Sequence, residues 1–568
     1  MNLYDKSSLI LVPSGVKASK VYSQRPENGD GDFTFSRSTA ATRVNANGLI
    51  EKGRENLFTN SNNLTDVTLD KLTRTTGHAD PFGGSDAALF TENTGTGVHR
   101  FYIYTPATDA VYTYSVYAKP NGRNRFEIVA DGQGARAQFN IADGTLINDS
   151  NEIVSNIESA GNGWYRISLT YYGAGWIGGY LWNDSGSREY TGDGSSGVYL
   201  YGAQVEQGLV ATDYIESGST TGKAGVLEDL PRLDYSGGAS CPTLLMEPQT
   251  TNYVPYSEKL DSNSISGGTY YANQEISPDG TRNAYGIDLD STGNRIQPNI
   301  GAYDGLVTMS MYIKPVANMR SRLNIYNAVD QSVHGGFFDW NGSTFDITSD
   351  GVGYTDAGYE NAGNGWYRLW IVGTSISGGN TLAQFRPNVD SDLSERLYVW
   401  GLQAERLPYP TSYIPTYGAA TTRLFDGSLN NTNFSDIFGS SSLTQYSIFL
   451  DIKDGDDSVS TETLISKGSN AQGRINILGG DRICYYSVAT GYTTGNNYTD
   501  GFPHKYLLVA DNGTIKQYFD GSLISTDTNT SDEFTAFHIG GSKSMRLSQY
   551  IIFPTSLTNT EAIALTTL

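Results

Sequence analysis

The stretch Gly161-Asn162-Gly163-Trp164-Tyr165-Arg166 occurs a second time, residue for residue, as Gly363-Asn364-Gly365-Trp366-Tyr367-Arg368. The spacing is 366 − 164 = 202 residues. The flanks repeat as well. Ser115, Tyr117, Lys119 and Pro120 return as Ser310, Tyr312, Lys314 and Pro315. Gly202, Gln204, Glu206, Tyr214 and Ile215 return as Gly401, Gln403, Glu405, Tyr413 and Ile414, and Asn56 and Ser61 as Asn252 and Ser257. Collinear matches at a near-constant offset define a duplicated domain of about 200 residues, the size of a sandwich or barrel. A solenoid repeat is far shorter, roughly 20–50 residues.

Within the repeated phrase, Asn-Gly supplies a turn with positive φ and the aromatic, β-branched run after it reads as a strand. Period two places Tyr165, Ile167 and Leu169 on the core face and Trp164, Arg166 and Ser168 on the other. Trp and Arg two apart permit guanidinium–indole stacking. The functional reading of that Trp is a sugar platform; the structural one is a strand cover capped by Arg. Tyr112 to Ala118 and Val307 to Ile313 keep the same alternation in both copies, which predicts antiparallel sheets with one buried face.

Composition agrees. The chain has 568 residues with 65 Gly, 39 Tyr and 2 Cys, and Ser, Thr, Asn and Gly fill the gaps between short apolar runs. That is an all-β pattern rich in turns. The net charge of −22 opposes nucleic acid and anionic membrane as partners and leaves cation binding open. Cys241 and Cys484 fall in different expected domains, so no disulfide framework is expected. The early apolar run Leu9 to Val12 is too short for a signal core or a membrane span.

The expected organisation is three tandem antiparallel β-sandwich (jelly-roll) domains behind an extended N-terminal arm. The arm covers 1–50, the first repeat 51–220, the second 226–418 and a third domain 421–568. The arm either lies on the next domain or docks on another protein. Thr42-Arg43, Arg232-Leu233 and Thr422-Arg423 precede the three domains and suggest a recurring joint. Asp520-Gly521 predicts a hairpin, and Thr558 with Glu561 a capping box for a helix at Asn559 to Leu565.

The phrases Lys17 to Ser23, Asp32 to Ser38, Ala41 to Val44 and Gly48 to Glu51 resemble the N-terminal region of appendage proteins of tailed bacteriophages, many infecting Bacteroidetes. Pro231 to Tyr235, Leu244 to Ser257 and Tyr398 to Tyr413 resemble the same group. The two repeats resemble jelly-roll carbohydrate-binding modules. The last domain, through Tyr518 to Leu523, Ile539 to Gly541 and Leu547 to Leu565, resembles laminin-G/concanavalin A-like lectins. The resemblance implies a virion structural protein (head fibre, tail fibre or decoration) made in the host cytoplasm and displayed on the particle. It implies contacts to other virion proteins through the arm, host surface glycans as ligands, and a trimer.

No zinc pattern, phosphate loop or nucleophile elbow is present, and nothing singles out a carboxylate pair for glycoside hydrolysis. The chain is therefore read as a non-enzyme, with a polysaccharide-degrading tail enzyme and a purely architectural component as alternatives. Trp176 and Trp182, in a Gly-rich run that leaves an indole uncovered, are the leading sugar-platform candidates. Tyr270 and Tyr271 follow, then Trp340; core packing is the competing reading for each. Asp454, Asp456 and Asp457 form a dense acidic loop suited to calcium oxygens, without EF-hand spacing, and related sandwiches often hold a structural calcium.

Overall fold

The computed structural model describes residues 3–567 except 131–133, 289–293, 377, 388–395, 454–461, 467–473, 479–481, 488–490, 493–495, 498–502, 529–532, 536 and 541–543. The chain is all-β, built as three antiparallel β-sandwiches. In the first, a six-stranded sheet runs in the order Val154–Gly161, Trp164–Tyr172, Val111–Asn121, Gly197–Gln207, Ala87–Glu92, Leu72–His78. The facing sheet runs Thr145–Ser150, Ala135–Asn140, Arg125–Ala130, Trp176–Trp182, Thr96–Tyr104, Glu189–Thr191, with Thr68–Asp70 added beside Thr96–Tyr104. The second sandwich repeats this plan with two six-stranded sheets. One is centred on Gly305–Lys314 between Trp366–Ser375 and Leu397–Glu405; the other runs Ile265–Ser266, Arg295–Ile296, Thr381–Arg386, Arg320–Asn327, Val333–Trp340, Phe345–Gly351.

The repeated phrase makes the same hairpin twice. Asn162 and Asn364 both have φ 52°, followed by Gly163 and Gly365 at 78° and 80°. Ile167 and Leu169, like Leu369 and Ile371, are buried in the sandwich cores. Trp164 and Trp366 are only 2% and 1% exposed on the opposite face, where each joins a small aromatic cluster. The repeated Arg does not stack on that indole. Arg166 lies 5.3 Å over Tyr117 and Arg368 5.4 Å over Tyr312. Tyr117 is the residue paired directly across from Arg166, and Tyr312 across from Arg368. A cross-strand partner is nearer than a residue two along the same strand. The other repeated polar residues form a buried clamp. Asn56 Nδ2 donates to the Ile215 carbonyl at 2.8 Å and the Ile215 amide to Gln204 Oε1 at 2.7 Å. Asn252, Ile414 and Gln403 do the same at 2.9 and 2.7 Å.

The third sandwich is discontinuous in sequence, which corrects the expected boundaries. Its eight-stranded sheet takes Leu9–Leu11, Arg232–Asp234 and Thr243–Met246 alongside Met545–Phe553, Gln445–Lys453 and Pro503–Asp511. Its ten-stranded sheet takes Val16–Lys17, Lys20–Val21 and Phe33–Thr34 through Leu429–Asn431. The lead-in is extended, but it lies on the last domain and not on the next. The cause is apolar burial: Leu9, Leu11, Val21, Phe33 and Phe35 share one core with Leu244, Met246, Ile448 and Ile552. The apolar side chains of the arm are thus occupied within the chain. Asp520 and Gly521, both at positive φ, turn the hairpin between Thr514–Phe519 and Ser522–Thr528. Thr558 and Glu561 form the capping box of helix Asn559–Thr566.

Two of the three recurring Arg phrases, at Arg232 and Arg423, meet Arg37 in a buried charged hub, whereas Arg43 of the first phrase pairs with Glu51 at 2.9 Å. Arg37 pairs with Asp426 at 2.8 Å, Arg232 with Glu247 at 2.7 Å and with Asp426, and Arg423 with Glu247. Burial disfavours the Glu247 carboxylate, but Arg423 and Arg232 outweigh it and hold its pKa well below the usual range. A second knot joins the lead-in hairpin, Thr42–Val44 with Ile50–Lys52, to the second sandwich. Lys52 pairs with Glu258 at 2.8 Å and Asp279 at 2.6 Å. Burial opposes the Lys52 charge, yet Asp279 and Glu258 raise its pKa well above the ordinary value.

Candidate functional site

Strand Trp176–Trp182 sits between Thr96–Tyr104 and Arg125–Ala130, so its alternate residues form the middle of an outer face. Ile177 and Leu181 point into the core; Trp176, Gly178, Tyr180 and Trp182 point away from it. Across the ladder, Tyr104 pairs with Trp176, Tyr102 with Gly178 and Arg100 with Tyr180. Gly178 carries no side chain, and a Cβ there would meet the Phe101 carbonyl oxygen at 2.1 Å. Gly178 is itself buried, so only glycine fits where the neighbouring backbone approaches this closely.

One end of this face is aromatic. The Trp176 and Tyr102 rings meet edge to face at 5.9 Å, and Tyr104 meets Tyr102 at 5.9 Å, also edge to face. Tyr104 is 77% exposed. Rings held against one another by strand pairing lose little freedom when a flat apolar ligand face stacks on them. The other end is polar and anchored. Arg100 donates to Tyr180 Oη at 3.0 Å and lies over the rings of Tyr102 and Tyr180 at 5.4 and 5.7 Å. Arg188 lies over Tyr180 from 5.0 Å. Trp182 Nε1 donates to Glu127 Oε2 at 3.2 Å, and Arg188 is 3.8 Å from the same carboxylate. Burial pushes Glu127 above the usual carboxylate range, against the pull of Trp182, Arg136 and Arg188.

The structure thus brings Trp176 and Trp182 onto one face, with Trp176 in the open aromatic patch and Trp182 tied to Glu127. Tyr102 and Tyr104, which sequence reasoning missed, complete the patch. The available signal was the register of an alternating strand, Arg100, Tyr102, Tyr104, beside the Trp strand. Tyr270 and Trp340 are partly buried, and both rings pack against the core of the second sandwich. Trp340 sits 4.8 Å from Phe345 and 5.0 Å from Tyr367, because those rings converge at one sheet corner. Tyr271 is exposed but covered on one side by Arg396 at 4.2 Å, itself paired with Asp288 at 2.7 Å. Asp454, Asp456 and Asp457 lie outside the described residues. Among the described residues no group of three or more His, Cys, Asp or Glu side chains is disposed to hold a metal ion.

Two clefts run along the seams between sandwiches, and none of the five predicted aromatics lines either. The larger, about 790 Å³, is bordered by Glu158, Arg166, Thr170, Asn273 and Arg282; the smaller, about 380 Å³, by Tyr112, Glu206, Glu258 and Tyr417. No described helix is long and apolar enough to cross a membrane.

No protein-family model matches the chain, and no curated protein matches it in sequence. Solved structures similar to it include the CBM40 of Ruminococcus gnavus IT-sialidase bound to α2,3-sialyllactose. That match has 14% identity, covers 22% of this chain and 85% of that one, and has a TM-score of 0.20. The LG1–3 region of the laminin α2 chain matches at 11% identity over 81% of this chain and 96% of that one, TM-score 0.16. Trypanosoma rangeli sialidase in complex with sialic acid matches at 9% identity over 94% and 96%, TM-score 0.21. At these scores the likeness carries no argument about ligand or activity.

Proposed function

We propose that this chain is a non-catalytic adhesion protein that presents its sandwich domains to surface glycans. The observation that carries the reading is the aromatic patch of Tyr102, Trp176 and the 77% exposed Tyr104. A sugar ring presents a flat C–H face and a rim of hydroxyls. The aromatic end meets the first, and the partly exposed Arg100 meets the second. The appendage-like phrases in the lead-in and at the joints support placement on a phage virion, where a trimer would repeat the site and raise avidity. With the lead-in packed on the third sandwich, attachment to a larger assembly falls to other surfaces. A structural calcium in the acidic loop of the third domain belongs to the same proposal.

The test is a glycan array with the intact protein, run with calcium and with chelator, followed by mass analysis of the bound sugar. Saturable binding with unchanged mass, lost in Trp176→Ala, supports the reading. A shortened sugar moves the assignment to a polysaccharide-degrading enzyme. Absence of binding in both buffers leaves an architectural role.

A further inference from the structure

The second sandwich carries a face of different chemistry on the matching sheet. Ile296 pairs with Phe385, which sets the flanking Arg295 and Arg386 side by side, and Arg386 pairs directly with Arg322. Three arginines therefore cross three adjacent strands in one outward row, with strands about 4.8 Å apart. Two residues along each strand comes a carboxamide row, Gln297, Gln384 and Asn324. Gln384 Nε2 donates to Gln297 Oε1 at 3.0 Å and Asn324 Nδ2 to Gln384 Oε1 at 2.8 Å. The corresponding rows of the first sandwich are Arg100, Tyr180, Glu127 and then Tyr102, Gly178, Val129.

Among the described residues the guanidinium row is under-neutralised. Arg322 pairs with Asp350, and Arg320, which lies 4.3 Å over Phe337, pairs with Asp339 at 3.1 Å. Arg295 and Arg386 make no ion pair or side-chain hydrogen bond among the described residues. The Nε atoms of Arg295, Arg322 and Arg386 are buried without an acceptor, and fully buried Asn324 has an Oδ1 without a donor. Burial, with Arg322 and Arg295 nearby, lowers the Arg386 pKa, and Asp350 only partly offsets this. In a chain of net charge −22, cations left facing one another are complementary to an incoming anion. A planar guanidinium fork fits a planar carboxylate through two parallel bonds.

We propose that this face binds a carboxylate-bearing saccharide, with Arg295 and Arg386 holding the carboxylate and the edge of the carboxamide row, at Gln297, taking a neighbouring hydroxyl. The proposal rests on the glycan-adhesion reading and assigns a second ligand class to the second repeat. The experiment is calorimetric titration of the full chain with a hexuronate oligosaccharide, its carboxyl-reduced counterpart and a sulfated form of the same backbone, each at low and high salt. The hexuronate should bind, weaken with salt, and lose roughly tenfold or more in affinity on carboxyl reduction. The Arg295→Gln/Arg386→Gln variant should show the same loss, whereas Trp176→Ala should leave hexuronate affinity unchanged. Removing facing like charges should hold or raise the melting temperature of the double variant; if it fails to fold, Arg295→Gln alone, near the sheet edge, carries the test. Hexuronate binding indifferent to these arginines overturns the proposal and leaves adhesion standing. Binding of the sulfated form alone overturns the carboxylate assignment. Failure of every saccharide, neutral ones included, overturns both readings.

Discussion

The outer sheets of the first and second sandwiches have the same strand order and opposite surfaces. One row of the first reads Tyr102, Gly178, Val129, where the second reads Gln297, Gln384, Asn324. The next row reads Arg100, Tyr180, Glu127 against Arg295, Arg386, Arg322. Beneath both, the hairpin turn, the buried Trp and the Asn–Gln clamp are superimposable in kind and nearly in distance. The backbone hydrogen bonds of a ladder do not depend on the outward side chain, so the frame tolerates any outer surface. What duplicated is the frame, and what diverged is the face.

The largest expected effect comes from breaking the shared frame. Trp164→Ala and Trp366→Ala should each cost about 3–5 kcal/mol in denaturant unfolding. Trp366→Ala should cost more, because its indole N–H also donates to the Ile276 carbonyl at 2.9 Å. Equal losses would mean that the Trp366 hydrogen bond adds nothing, and negligible losses would remove both indoles from the account of stability. The hub that joins the frames is next. Glu247 has its pKa held below an unfolded value near 4.5, so its stabilisation is complete above that value and is lost as pH falls toward the folded pKa. Glu247→Gln should lower the melting temperature at pH 7 by the equivalent of about 3 kcal/mol and flatten the acid limb of the stability profile between pH 5 and pH 3 (about). An unchanged acid limb would remove the hub from the account of stability.

The faces themselves give smaller effects. Trp176→Ala should weaken neutral-glycan binding by about 2 kcal/mol, roughly thirtyfold, with little change in stability. Glu127 is the mirror of Glu247. Its folded pKa is raised, so its contribution is present at low pH and lost as pH rises from 4.5 through the folded value. Glu127→Gln should therefore gain up to about 1 kcal/mol at pH 7 relative to pH 4, since an amide oxygen still accepts from Trp182. A variant that loses stability at pH 7 would show that the charged carboxylate is held by its arginines.

Much of this was legible in the chain. The hexapeptide repeat gave two copies of one antiparallel sandwich, and period two assigned Ile167 and Leu169 to the core. The Asp520-Gly521 hairpin and the Thr558 capping box needed only local rules, because each is satisfied within a few residues. The Trp strand was legible as a candidate, but Tyr102 and Tyr104 were not, since only pairing of Thr96–Tyr104 with Trp176–Trp182 brings them together. Tyr270 and Trp340 look like any loop aromatic in one dimension, and only the fold shows that both pack against the core of the second sandwich.

By itself, then, the sequence determined what depends on neighbours: strand periods, turns, caps and the duplication. Only the tertiary structure decided what depends on long-range closure. It placed Leu9, Leu11 and Phe33 in the last sandwich rather than the next, some 400 residues away in sequence at the Thr34–Asn430 pairing. It gathered Arg37, Arg232 and Arg423 around Glu247 and Asp426, and it set Arg295, Arg386 and Arg322 in one row. The physical reason is common to all three. Burial of apolar surface and neutralisation of charge are indifferent to chain distance, so their partners are fixed by the packed fold and not by spacing.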